Sequence, residues 1–119
     1  MIAQRSAPQS VAQLAEAIKR CNDEGLAVTI EGGNTLRAMG STPRRADTSI
    51  STVKLNELLA HEYHDLTCAV RAGITLAQLA EKLAQQGQFV PIDAPLRRKA
   101  TVGGTMAAGW LGPRRHLYG

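Results

Sequence analysis

Two glycine-bearing segments hold the residues of this chain whose types and spacing could do chemistry. The longer one, Ala100 to Gly119, reads ATVGGTMAAGWLGPRRHLYG and sets Gly103, Gly104, Gly109 and Gly112 among Thr, Ala and Met. Glycine is too dense here for an ordinary helix, and the stretch is too apolar for a solvated linker. Glycine permits φ > 0 and lets a flat or anionic ligand approach the main chain, whose N–H groups can donate to it. A tight buried turn between two elements fits the same composition, and these residues alone do not separate the two readings.

The shorter segment is Glu31-Gly32-Gly33-Asn34-Thr35, delivered by the β-branched run Leu26 to Ile30. A Gly-Gly turn after a buried strand can aim successive amides at an anion, and a simple β-turn is the alternative. The chain has no G-x-x-x-x-G-K-[ST], and Gly32-Gly33 lacks the third glycine of a dinucleotide fingerprint, so any phosphate site belongs to another architecture. His61 and His64 bracket an acidic turn with Glu62 and Asp65, a spacing that fits an exposed hairpin better than a metal site. With His116 they are surface histidines by expectation, and no catalytic residue is assigned. Cys21 and Cys68 lack metal-ligand spacing and fall in apolar segments, which predicts a reduced thiol pair in the core.

The elements that must position these segments read as helix then strand, twice. Ser10 caps a helix with Gln13 as capping-box partner, and Val11, Leu14, Ala15, Ile18 and Cys21 follow as its apolar stripe up to Gly25. Leu26 to Ile30 is the strand after it, and Arg37 to Ala46 is loop. Asp47 to Thr52 is a short strand, and Leu55 to His61 and Leu66 to Ala72 form two strands around a polar turn. Thr75 caps a second helix with Gln78, and its stripe is Leu76, Leu79, Ala80 and Leu83. Gly87 stops it, and Phe89 to Ile92 continues as extended, apolar chain. Met1 to Gln9 is a lead-in without pattern. This alternation predicts an α+β (mixed α/β) fold with a small sheet and flanking helices.

At 119 residues the chain is one domain at most, and 44% hydrophobic residues exclude disorder as its default. One Trp, two Tyr and one Phe are too few for stacking nucleic-acid bases, so nucleic acid is not an expected partner. The net charge of +4 comes with short clusters, Arg44-Arg45, Arg97-Arg98-Lys99 and Arg114-Arg115. These read as solvated surface or as a face for an anionic ligand or protein. No apolar run approaches a membrane span and no secretory segment opens the chain, so a cytoplasmic location is expected.

Taken in order, these residues resemble a known family. The capped helix and strand, Glu31-Gly32-Gly33-Asn34-Thr35, Asp47-Thr48-Ser49, Asp65-Leu66-Thr67 with Arg71-Ala72-Gly73-Ile74-Thr75-Leu76, Pro91-Ile92-Asp93, Ala100-Thr101-Val102-Gly103-Gly104 and Gly112-Pro113-Arg114-Arg115 with Tyr118-Gly119 are similar to the PCMH-type FAD-binding domain of the vanillyl-alcohol oxidase type. Within it the likeness is strongest to the FAD-binding subunit of bacterial glycolate oxidases.

The resemblance implies that Gly32, Gly33, Asn34 and Thr35, with Leu36 adjoining, hold the FAD pyrophosphate through backbone amides. It implies that Thr101, Val102, Gly103 and Gly104 border the flavin, that Ala107, Ala108, Gly109 and Gly112 continue that wall, and that Asp93, Ala94 and Pro95 form the turn leading in. Arg114 faces either phosphate or a partner. Asn34 stands where covalent flavoproteins of this type carry His, so FAD is expected to bind noncovalently. Glu31 stands where Arg is common, which implies missing positive charge and weaker affinity.

The resemblance further implies the N-terminal part of one FAD-binding domain, with residues 10–55 as a first subdomain and 56–119 as the start of a second. The substrate domain is then absent and the piece inactive alone, its exposed strand edges favouring self-association. The whole would oxidise a small 2-hydroxy acid, with iron–sulfur and flavin subunits as further partners. A non-catalytic basic module for an acidic protein or nucleic acid is the competing reading.

Overall fold

A computed structural model of the chain describes residues 4–118; Gly119 of the Tyr-Gly motif lies outside them. The first half is a three-stranded parallel sheet backed by one helix. Strands β1 (Gln4–Ser6), β2 (Val28–Glu31) and β3 (Thr48–Ser51) lie in the order β1-β3-β2, with Ile30 beside Ile50 and Glu31 beside Ser51. Strand β1 falls in the patternless lead-in; three polar residues carry no periodicity, and only the pairing with β3 makes them a strand.

Helix α1 (Val11–Asp23) starts where its cap predicts, with the Ser10 hydroxyl accepting from the Gln13 N–H. The Gln13 side chain takes the Gln9 N–H rather than that of Ser10, so the box is displaced by one residue. Ala17 and Cys21 pack on Ile50 with Leu14, Leu26 and Val28, while Val11 and Ile18 of the expected stripe stay exposed. A four-residue strand spans roughly 13 Å against about 20 Å for a 13-residue helix, so the short sheet covers one end of the stripe. Gly25 takes the left-handed φ of +63° that ends the helix.

The second half is the antiparallel hairpin β4 (Leu58–Glu62) and β5 (Thr67–Val70), followed by α2 (Leu76–Ala84). Both strands are shorter than their apolar runs predict, and the register slips between Leu58 and Ala60. Thr75 and Gln78 complete the expected capping box. Leu79 and Leu83 pack with Ile74 against Leu58, Val70, Val90 and Val102, and Leu76 packs with Ala94 and Ala100. Ala80 is half-buried. Phe89 to Ile92 is extended but joins no ladder: Pro91 has no N–H and the Ile92 N–H turns back to the Val90 carbonyl.

The expected core thiol pair is corrected by this packing. Cys21 is buried under β3, whereas Cys68, on β5, is exposed at a groove beside Leu83 and Val90. A maleimide reagent added to the native chain is therefore expected to modify Cys68 rapidly and to reach Cys21 only after denaturation, read by mass spectrometry.

The glycine-rich stretch is also not the loop its composition predicts. Val102–Ala107 is a short helix, α3, with Thr101 as N-cap accepting from the Gly104 N–H. Its start is fixed from outside: Val102 donates to Ile74, Gly103 donates to Ala72, and Leu76 donates back to Ala100. Gly103 is needed because a Cβ there would stand 2.7 Å from that of Ala72. Positive φ is used later, at Gly109 and Gly112, before the closing turn α4 (Arg115–Tyr118).

Candidate functional site

The two glycine-bearing segments meet in one cleft of about 270 Å³. One wall is Gly32 to Arg37 after β2, with Ile30; the other is Thr101, Gly104, Ala107 and Ala108 on α3 and its cap. The walls touch at their base. A Cβ on Gly33 would stand 1.7 Å from the Lys99 carbonyl oxygen, and one on Gly32 would stand 2.3 Å from Thr101 Oγ1. These glycines are there because one backbone lies on the other. The left-handed residue of the loop is Asn34, with φ of +55°.

The N–H groups of Gly32 to Leu36 donate to no carbonyl or side chain among the described residues. Unspent amides on one wall and small, mostly apolar residues on the other are the chemistry that suits an anionic, partly flat ligand. None of the residues lining the cleft is His, Cys or Tyr, so the wall holds no side chain of the kinds that bond flavin covalently.

Of the residues singled out in sequence, Gly32, Gly33, Asn34, Thr35, Leu36, Thr101, Gly104, Ala107 and Ala108 line the cleft. Val102 turns into the core, Gly103 lies on Ala72, and Gly112 packs on Asp93. Gly109 ends α3, and Pro95 is exposed in the turn before Ala100. Ile30 and Arg37 line the cleft without having been singled out. Ile30 was expected inside a buried strand, but it sits on the edge strand β2 and is exposed.

Glu31 places a negative charge at the loop, as its type predicts, and the fold surrounds that charge with cationic partners. The carboxylate is 3% exposed and ion-paired to Arg5 (3.2 Å) and Arg37 (2.9 Å). Its Oε2 also accepts from Asn34 Nδ2. Within the loop Arg37 offsets the charge of Glu31, and Arg5 adds a second cation from β1.

Arg114 is held within the chain: its Nε and Nη2 both donate to the Asp93 carboxylate. Asp93 also accepts the Trp110 indole N–H at its main-chain oxygen, which makes it the anchor for residues 110–114. The hydrogen bond from Arg114 holds the Asp93 carboxyl below the ordinary 3.8, against the opposing pull of desolvation. The Ala27 N–H, then Arg45, does the same for Asp47, just before β3. A carboxyl lowered in the folded state stabilises it above the ordinary range and stops doing so as pH falls through the folded value. Thermal stability is thus expected to hold from neutrality to about pH 5 and to decline below the carboxylate range. Fluorescence of Trp110, the single tryptophan, should change over the same interval, and Asp93→Asn should remove that change.

A mixed α/β unit that sets two glycine-bearing segments across an amide-lined cleft has the build of a nucleotide-cofactor site. The chain belongs to the FAD binding domain family, whose sequence profile matches residues 3–119. It is 30% identical over 114 residues to the mitochondrial D-2-hydroxyglutarate dehydrogenase of Bos taurus, covering 94% of this chain and 21% of that one. It is 31% identical over 110 residues to the D-lactate dehydrogenase of Anaerostipes hadrus, covering 92% and 23%. Among solved structures, alkyldihydroxyacetonephosphate synthase superposes with a TM-score of 0.79 at 23% identity, over 95% of this chain and 23% of that one. The chain thus spans about a fifth of the length of these relatives. No helix among the described residues is long and apolar enough to cross a membrane.

Proposed function

We propose that the cleft between Gly32–Arg37 and the Thr101–Ala108 wall holds the diphosphate and adjoining part of a noncovalent FAD. On this reading residues 1–119 are the N-terminal part of a longer FAD-binding domain in an oxidoreductase acting on a small 2-hydroxy acid. One observation carries it: the loop whose Gly32 to Leu36 amides are unspent and the small residues of α3 line one gap that both segments build. FAD supplies the two-electron acceptor for such a reaction. This chain's part is binding: the loop amides hold charge, Thr101 keeps α3 in place through the Gly104 N–H, and Ile30 with Ala107 and Ala108 offers apolar surface to a ring.

Among the described residues, those lining the cleft include no His, Asp or Glu. His61 is hydrogen-bonded to Gln88 at 2.8 Å and His64 lies against Tyr63, both on the hairpin side. A substrate base is therefore sought on other parts of the whole protein. The relatives are named for D-2-hydroxyglutarate and D-lactate. These names support a 2-hydroxy acid as the substrate class, within which glycolate is the narrower proposal drawn from the sequence likeness, as are iron–sulfur and flavin partner subunits.

Titrating FAD into the purified chain tests the binding reading. Quenching of flavin fluorescence and a shifted visible band that stays with the protein through gel filtration are expected. Free-flavin spectra at saturating protein would overturn it.

A further inference from the structure

We propose that Glu31 is a positioning residue for the diphosphate site, holding Asn34 and Arg37 so that the Arg37 guanidinium meets the ligand; this rests on the FAD reading above. Glu31 closes β2 and its carboxylate is buried, a placement that is costly for a charge unless it is paired and hydrogen-bonded. Its two oxygens are divided. Oε1 accepts from Arg37 at 2.9 Å, while Oε2 takes Asn34 Nδ2 at 3.2 Å and Arg5 at 3.2 Å.

Two of those partners belong to the loop that walls the cleft. Asn34 holds the left-handed backbone, φ of +55°, at the centre of the run of free amides. An L-residue pays roughly 1–2 kcal/mol for that conformation, so a side-chain anchor on a buried carboxylate keeps it populated without a ligand. Arg37 lines the cleft, and its side chain is 55% exposed. A guanidinium has five N–H donors. One is spent on Glu31, which orients the planar fork and leaves the others for phosphate oxygens. Arg5 differs: it reaches Glu31 from β1 across β3, ties the sheet together, and does not line the cleft.

This division yields a test that a purely structural role of Glu31 would not pass. Dissociation constants for FAD, ADP and adenosine are measured on the 119-residue chain and on Arg37→Met, Glu31→Gln, the double variant and Arg5→Met, alongside thermal midpoints. Arg37→Met is expected to weaken FAD and ADP about tenfold or more and to flatten the salt dependence of binding. It should leave adenosine unchanged and, because it takes the nearer cation from the buried Glu31 carboxylate, lower the midpoint as well, so affinity is read on the folded fraction.

Glu31→Gln keeps an amide oxygen to accept from Asn34 Nδ2 and loses the charge that orients Arg37, so it should weaken FAD and ADP by about threefold to tenfold when Arg37 is present and hardly at all when it is Met. Arg5→Met should lower the midpoint and leave affinity alone. Equal affinity in the parent and Arg37→Met, or additive effects of Glu31→Gln and Arg37→Met, overturns the inference while FAD binding stands. Failure of the parent chain to bind both FAD and ADP overturns the FAD reading itself, and this inference with it.

Discussion

Gly33→Ala is expected to destabilise the chain and to abolish FAD binding together, because the same atoms join the two walls of the cleft. The added methyl would stand 1.7 Å from the Lys99 carbonyl oxygen and 2.6 Å from its carbon. Both are main-chain atoms, so no rotamer change relieves the collision. Either the loop after β2 lifts or residues 99–101 retreat, and each movement separates Gly32 to Leu36 from Thr101 and Gly104. Overpacking of this kind costs about 1–3 kcal/mol, occasionally more. At the upper end the melting temperature should fall by about 10 °C.

Two other glycines isolate the cause. Gly73→Ala meets the Thr52 oxygen at 1.9 Å, an equal collision outside the cleft, so it should lower stability and leave binding to the folded fraction intact. Gly25→Ala meets nothing within 4 Å and changes only the preference for its φ of +63°, a cost of about 1 kcal/mol. An unchanged melting temperature and FAD affinity in Gly33→Ala would show that the loop does not rest on Lys99.

Local chemistry was legible in the sequence and long-range pairing was not. The Thr75–Gln78 box and the left-handed stops at Gly25 and Gly87 involve neighbours in sequence, and all three stand where their residue types put them. The same locality explains why Gly32-Gly33 was found as closely approached backbone while the helix at Val102–Ala107 was not foreseen. Two glycines in a six-residue helix oppose it by about 1 kcal/mol each, and the first turn of α3 forms because Ala72 and Ile74, some thirty residues earlier, accept its N–H groups. Strand β1 exists only through β3, and Arg114 finds Asp93 across 21 residues. The partners of Glu31 were not legible. Read alone it removes positive charge from the loop; folded, it gathers Arg5 and Arg37 around itself. The i, i+3, i+6 spacing of Glu31, Asn34 and Arg37 was the available clue, and it becomes interpretable once Asn34 is seen in the left-handed region.

Ile74→Ala should give the largest loss of stability while sparing the cleft, and so separates support of the site from the site. Ile74 is fully buried and joins Leu79 and Leu83 of α2 to Leu58, Val70, Val90 and Val102. Emptying such a position costs about 2–5 kcal/mol, a large part of the 5–15 kcal/mol usual for a domain, and should lower the melting temperature by about 10–20 °C. The bond that organises α3 runs to the main-chain oxygen of Ile74, which alanine retains, and the side chain is not part of the cleft. Folded Ile74→Ala should therefore keep the parent's FAD affinity. Ligand at a hundredfold excess over the dissociation constant stabilises a native state by about 2.7 kcal/mol, so FAD should raise the midpoints of parent and Ile74→Ala alike and leave Gly33→Ala where it was. If FAD fails to stabilise Ile74→Ala, the packing beneath α3 shapes the cleft directly, and the separation drawn between the hydrophobic clusters and the amide-lined wall does not hold.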